Sequence, residues 1–142
     1  VSVEVAASED YPELLRVWED SVRATHDFIT EDDIESFKPM IMEQAFPAVE
    51  LCCLRSNGVI QGFVGVYGQK IEMLFLRNDA RGRGIGRQLL SHAIDTLGCN
   101  KVDVNEQNPL AVGFYQHCGF VIESRSPLDS QGKPFPILHM VL

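Results

Sequence analysis

The run from Val49 to Leu76 leaves this chain few folds to choose from. VELCCLR and VIQGFVGVYG are apolar, β-branched and aromatic stretches parted by Ser56-Asn57-Gly58. Asn-Gly accepts positive φ at low cost, so the two stretches read as a hairpin. KIEMLFL follows as a third strand. The chain on both sides of this block changes to helical spacing. Ser8 is expected to cap a helix reaching Thr25, with Leu14, Leu15, Val17, Trp18 and Val22 along one side. Thr30 and Asp33 have the spacing of a capping box for a second helix, which Pro39 should interrupt or end.

Before that block, Val1–Ala6 alternates like a first strand. After it, Ile85, Leu89, Leu90, Ala93, Ile94 and Leu97 recur at helical intervals, closed by Gly98. KVDVN is a short strand, and Asn108-Pro109 opens a helix that Gly119 ends. FVIESR and ILHMVL read as closing strands joined by the loop SPLDSQGKPFP. The order βααβββαβαββ, with no repeat or linker, predicts one domain over 1–142 built on a mixed sheet with helices.

Composition supports a soluble domain. The 142 residues are 45% hydrophobic and 23% charged. No apolar run approaches about 18 residues, so no membrane association is expected. VSVEVAASED has neither the basic head nor the apolar stretch of a signal peptide, which points to the cytoplasm, and the absence of a leading Met leaves the native start open. Cys52, Cys53, Cys99 and Cys118 show no CxxC spacing and are expected as reduced thiols, with no metal site. Net charge is −8, and residues 1–50 hold thirteen of the acids against Arg16, Arg23 and Lys38. That balance argues against a nucleic-acid partner and suits a cationic one.

Against this acidity stands RNDARGRGIGRQLL, residues 77 to 90, where a turn rich in glycine and arginine joins a strand to a helix. A helix N-terminus offers unpaired N–H groups and about half a positive charge. Gly82, Gly84 and Gly86 let an anion approach the backbone, and arginines add charge and directed hydrogen bonds. A P-loop would need Lys and Ser/Thr after its last glycine, which this turn lacks. The dinucleotide fingerprint would need glycine where Arg87 stands, which disfavours a nucleotide-binding half-domain. A tight connection without a ligand stays open on the turn alone.

The wider pattern narrows the choice. Arg81-Gly82-Arg83-Gly84-Ile85-Gly86 matches R/Q-x-x-G-x-G/A, and Asn108 through Phe120 matches N-x-x-A-x-x-F-Y-x-x-x-G-F. With these motifs the chain resembles the GNAT acetyltransferase superfamily along its whole length. SVRATHDFIT, VNEQNPLAVGFY and DSQGKPFP are similar to the small bacterial YjaB-type members. The resemblance implies an α/β (α+β) single-domain fold, a mixed, mostly antiparallel twisted sheet of about seven strands with about four helices. It implies acetyl-CoA as donor and no metal. It implies an amine acceptor, a protein lysine or a small cationic amine, attacking directly in a ternary complex. A non-catalytic CoA-binding sensor or partner module is the alternative. The closing strands could pair two copies, leaving monomer or homodimer open.

Residue roles follow from that resemblance. Leu74, Phe75 and Leu76 would offer backbone partners to pantetheine, and an amide near Leu74 would polarise the thioester carbonyl. Arg81, Gly82, Arg83, Gly84, Ile85, Gly86 and Arg87 would hold the pyrophosphate. Asn108 would touch the cofactor or cap its helix, with Phe114 beside the cofactor as a packing ring. Tyr115 occupies the position of the general acid. Glu72 is the candidate base, because alternation sets it on the face of Leu74 and Leu76. Glu106 is a weaker candidate, and a water relay is a third route. His26 and Phe28 would border the acceptor. His92, His117 and His139 have no mutual spacing and receive no role.

Overall fold

The computed structural model describes residues 2–142 and packs as two compact units, Val1–Cys99 and Asn100–Leu142. The element order is the expected one. In the first unit come β1 (Val3–Val5), α1 (Tyr11–Thr25), α2 (Glu31–Met40), α3 (Phe46–Ala48), β2 (Glu50–Ser56), β3 (Val59–Tyr67), β4 (Lys70–Leu76) and α4 (Ile85–Asp95). The second unit holds β5 (Lys101–Asn105), α5 (Pro109–His117), β6 (Val121–Ser126) and β7 (Ile137–Val141). The four longer helices and seven strands match the expected fold class.

In the first unit β1, β2, β3 and β4 pair in sequence order, each antiparallel to the next. The hairpin turns on Asn57 and Gly58, both at positive φ. Cys52 and Cys53 are buried and, as strand neighbours, point to opposite faces, and all four cysteines are free thiols. One face carries Leu51, Cys53 and Phe63 into a core with Leu14, Val17, Trp18 and Val22 of α1, Ile34 of α2, and Phe46. The other face receives α4. Gly62 makes that approach possible, since a Cβ there would meet Leu76 Cδ2 at 2.4 Å and Leu89 Cδ1 at 3.1 Å.

One helix boundary differs from the sequence expectation. Ser8 does not cap α1: it starts a short 3-10 turn, Ser8–Asp10, in which the Ala7 N–H donates to Asp10 Oδ2 at 2.8 Å. The α-helix starts at Tyr11, with Pro12 in its first turn where a missing N–H costs nothing. Pro39 interrupts the second helix without stopping the coil. The chain runs on through Met40 into a π-helical turn, Ile41–Ala45, and then α3. Burial of Ile41 and Phe46 keeps the chain coiled where proline removes a backbone donor. The capping box itself is present, with the Asp33 N–H donating to Thr30 Oγ1 and the Thr30 N–H donating to Asp33 Oδ2, each at 3.1 Å.

The second unit is an antiparallel set in the order β5, β7, β6. Val102, Val104, Leu138 and Met140 alternate with more exposed neighbours and are buried, as are Tyr115 and Phe120. Among the described residues no helix is long and apolar enough to cross a membrane.

Candidate functional site

The Gly/Arg turn leaves β4 fastened at its start and open at its end. The Arg77 N–H donates to Gln61 O at 2.9 Å, and its guanidinium Nε donates to Ile60 O at 2.7 Å. The Asn78 N–H donates to Asp20 Oδ2 of α1 at 2.7 Å. Glu13 of the same helix accepts from the Ile60 N–H at 2.8 Å and lies 4.0 Å from Arg77 Nη2. Arg77 is therefore an anchor, and two of the acids in the first fifty residues serve to anchor this turn. Ala80 is fully buried beneath a 3-10 turn, Asn78–Ala80.

Beyond Arg81 the pattern reverses. Gly82 and Gly84 stand at φ +78° and +79°, where a side chain would be strained, and nothing lies within 4 Å of where their Cβ atoms would be. Gly84 is the N-cap of α4, and the first helical bond runs from the Gln88 N–H to Gly84 O at 3.0 Å. The N–H groups of Gly82 through Arg87 have no acceptor among the described residues. Arg81, Arg83 and Arg87 are exposed and make no ion pair among the described residues, although the protein as a whole is acidic. Free amides, a positive helix end and unneutralised guanidinium groups are together suited to an anion. A shallow depression of about 500 Å³ adjoins it, lined in part by Gly84, Arg87, Gln88, Ser91 and His92.

The strand leading into the turn carries an irregularity that spacing did not reveal. Ile71 lies opposite Val66, yet Met73 lies opposite Gly65, so Glu72 is an extra residue on β4. This β-bulge shifts the pleat and puts Ile71 and Leu74, three apart, on one face. The alternation that set Glu72 with Leu74 and Leu76 does not hold across it. Glu72 is exposed and sits 3.7 Å from Lys70 Nζ. Leu74, Phe75 and Leu76 follow in regular register with Val64, Phe63 and Gly62, each half-buried.

At the end of α1, His26 is half-buried, and its ring meets Phe28 at 5.3 Å between centroids. Thr25 Oγ1 donates to Ser21 O at 2.7 Å and lies 2.7 Å from His26 Nδ1. One hydroxyl proton serves one acceptor, so Nδ1 carries the hydrogen and donates to Thr25. Burial pushes the imidazole below its usual 6.5.

In the second unit Asn108 caps α5, accepting from the Ala111 N–H at 3.2 Å. Tyr115, not Phe114, is the more buried ring of the pair, packed edge-on to Phe114 and Phe120. Its hydroxyl has no hydrogen bond among the described residues, and no buried polar side-chain atom lacks a partner, so that oxygen reaches solvent. Burial pushes the phenol well above its ordinary range. Glu106 accepts both nitrogens of Arg125, at 2.6 and 3.0 Å, and the guanidinium holds it below the usual carboxylate range. That makes it a poor proton acceptor.

Comparison with known proteins decides the family. Residues 19–140 match the model of the acetyltransferase (GNAT) domain, a span that includes both the Gly/Arg turn and the Asn108–Phe120 motif. The chain belongs to the GNAT acetyltransferase family. The peptidyl-lysine N-acetyltransferase YjaB of Escherichia coli is 34% identical over 140 residues, covering 99% of this chain and 95% of that one. Its Salmonella typhimurium counterpart is 32% identical over 141 residues, covering 99% and 97%. The solution structure of apo YjaB from Escherichia coli superposes with a TM-score of 0.89 over 99% of this chain and 95% of that one. The PaiA N-acetyltransferase from Thermoplasma acidophilum, solved with coenzyme A, shares the GNAT fold at a TM-score of 0.74 and 21% identity, over 100% of both chains.

Proposed function

We propose that this GNAT acetyltransferase, acting as one domain over residues 1–142, moves the acetyl group of acetyl-CoA to a primary amine in a ternary complex. The acceptor class is a protein lysine or a small cationic amine. The observation that carries the donor assignment is the run of N–H groups from Gly82 to Arg87, which with Arg81, Arg83 and Arg87 have no partner among the described residues. That array fits a pyrophosphate, and the PaiA fold-mate was solved with coenzyme A. The YjaB relatives act on peptidyl-lysine by name, which supports the acceptor class.

Transfer requires a neutral amine and a protonated leaving thiol. A lysine-like amine with pKa about 10.4 costs roughly 4–5 kcal/mol to deprotonate at pH 7. Neither carboxylate candidate is well placed for that work: Glu72 is exposed beside Lys70, and Glu106 is tied to Arg125. A water relay or His26, neutral by burial and beside Phe28, is better suited to receive the proton. Tyr115 serves the leaving sulfur. Its raised pKa keeps the phenol protonated, so it donates a hydrogen bond to the developing thiolate. Leu74, Phe75 and Leu76 hold the pantetheine arm through their backbone, and an amide near Leu74 faces the thioester oxygen. Asn108 holds the α5 terminus in place, and Phe114 packs beside the cofactor.

The weak carboxylates also favour a second reading, a CoA-binding module without turnover. Thermal-shift titration separates the possibilities. Acetyl-CoA at about 100 times its Kd should stabilise wild type by about 2.7 kcal/mol, whereas ATP and NAD should do far less. Gly84→Val should abolish the shift while circular dichroism shows a folded chain. No stabilisation by acetyl-CoA would remove the donor assignment. Stabilisation without acetylation of any lysine peptide or polyamine would leave the binding module.

A further inference from the structure

Three residues outside both GNAT motifs come together on the second unit. Asp103 on β5 lies directly opposite His139 on β7, and Ser124 on β6 lies opposite the same histidine. Directly opposed residues share a face of the sheet, and Ser126, two beyond Ser124, shares it too. The side chains meet. His139 Nδ1 lies 2.7 Å from Asp103 Oδ1, and Ser126 Oγ lies 2.6 Å from His139 Nε2. Leu138 and Met140, on the opposite face, are buried, whereas the side chains of His139 and Asp103 keep 33% and 27% exposure.

The chemistry of this chain of contacts is directional. An ionised carboxylate only accepts, so Nδ1 donates to Asp103. In the neutral ring Nε2 then carries the lone pair and accepts the Ser126 hydroxyl. A base that holds the proton of a hydroxyl, itself oriented by a third group, is the arrangement of an activated nucleophile. The triad is recognised by geometry and roles, whatever the fold or chain order. The backbone N–H of Leu128, two residues beyond Ser126, has no acceptor among the described residues, which leaves it free to donate to an oxyanion.

We propose that Ser126, with His139 as its base and Asp103 orienting that base, is a second reactive centre that takes acyl groups from small activated esters or thioesters. Ser126 Oγ attacks the carbonyl carbon, and its proton passes to His139 Nε2. The carbon–oxygen or carbon–sulfur bond to the leaving group breaks, and that group departs with the proton from His139. Water, deprotonated by the same nitrogen, then attacks the acyl-serine, releases the carboxylic acid and restores Ser126. The step uses neither the Gly/Arg turn nor Tyr115, so it stands apart from acetyl transfer to amines.

A fluorophosphonate ester tests this without CoA. It forms a P–O bond to an activated serine, expels fluoride and leaves a stable adduct that peptide mass mapping can locate. The expected result is an adduct on Ser126 and none on Ser124, the exposed serine of the same strand, with p-nitrophenyl acetate hydrolysed by the unlabelled protein only. His139→Ala should slow labelling by about 100-fold, and Asp103→Asn should slow it while preserving the shape of the site. Circular dichroism checks that each variant is folded. Wild type that stays unlabelled, labels both serines alike, or labels at the same rate without His139 would overturn the proposal. The three residues would then be a cross-strand hydrogen-bond chain.

Discussion

The Gly/Arg turn and the C-terminal strands handle polar groups in opposite ways. From Gly82 to Arg87 amides and guanidinium groups stand without partners among the described residues. In the C-terminal unit Asn108 closes its helix, Arg125 binds Glu106, and Asp103, His139 and Ser126 bond in series. Unsatisfied donors cost little while water covers them, and a ligand can replace that water. Satisfied networks instead fix positions and rotamers. The first region leaves its donors open to an anion, as the proposed function requires, and the second fixes its side chains through protein contacts. Tyr115 differs from these, since the hydroxyl of its buried ring has no hydrogen bond among the described residues.

The contrast can be tested from its sharpest edge downward. Tyr115→Phe keeps the ring packed on Phe114 and Phe120 and removes only the oxygen. We expect kcat to fall by about 100-fold or more, with the acetyl-CoA thermal shift retained. An unchanged kcat would make that oxygen a bystander.

Arg77 anchors the turn, and Arg83 is the proposed grip on the ligand. Arg77→Ala should cost about 1–3 kcal/mol in denaturant unfolding, because the carbonyl of Ile60 loses a charged donor. Arg83→Ala should leave the melting temperature alone and weaken acetyl-CoA about tenfold in calorimetry. A swap of the two outcomes would undo the distinction. Asn108→Ala should lower stability by about 1 kcal/mol through loss of the cap, with a modest rise in KM for acetyl-CoA.

The smallest effect is on pH. His26 has its folded pKa depressed below 6.5 by burial, so its contribution to stability is present above that value and is lost as pH falls below it. Asp10 and Glu19, also depressed, lose theirs only further down, below the ordinary carboxylate values of 3.8 and 4.5. Melting temperatures should therefore begin to decline just under 6.5, and His26→Gln should remove that first decline. A profile flat down to the carboxylate range would place the imidazole in water.

Much of this was legible in the chain itself. Hairpin chemistry at Asn57-Gly58, the Thr30 box, the Asn108-Pro109 start and the periodicity of α4 gave the element order, because each signal is local and names its own backbone geometry. The two motifs gave the family, since glycine at 82 and 84 meets a φ that other residues reach only with strain. Packing decided what local signals could not. Buried Ile41 and Phe46 carried the coil past Pro39, and one extra residue at Glu72 broke the alternation of β4 at that carboxylate. Four arginines looked alike until Ile60 and Glu13 took one of them. Asp103, Ser126 and His139 had no spacing to announce them. Strand register brought them together, and register belongs to the sheet rather than to any one segment of sequence.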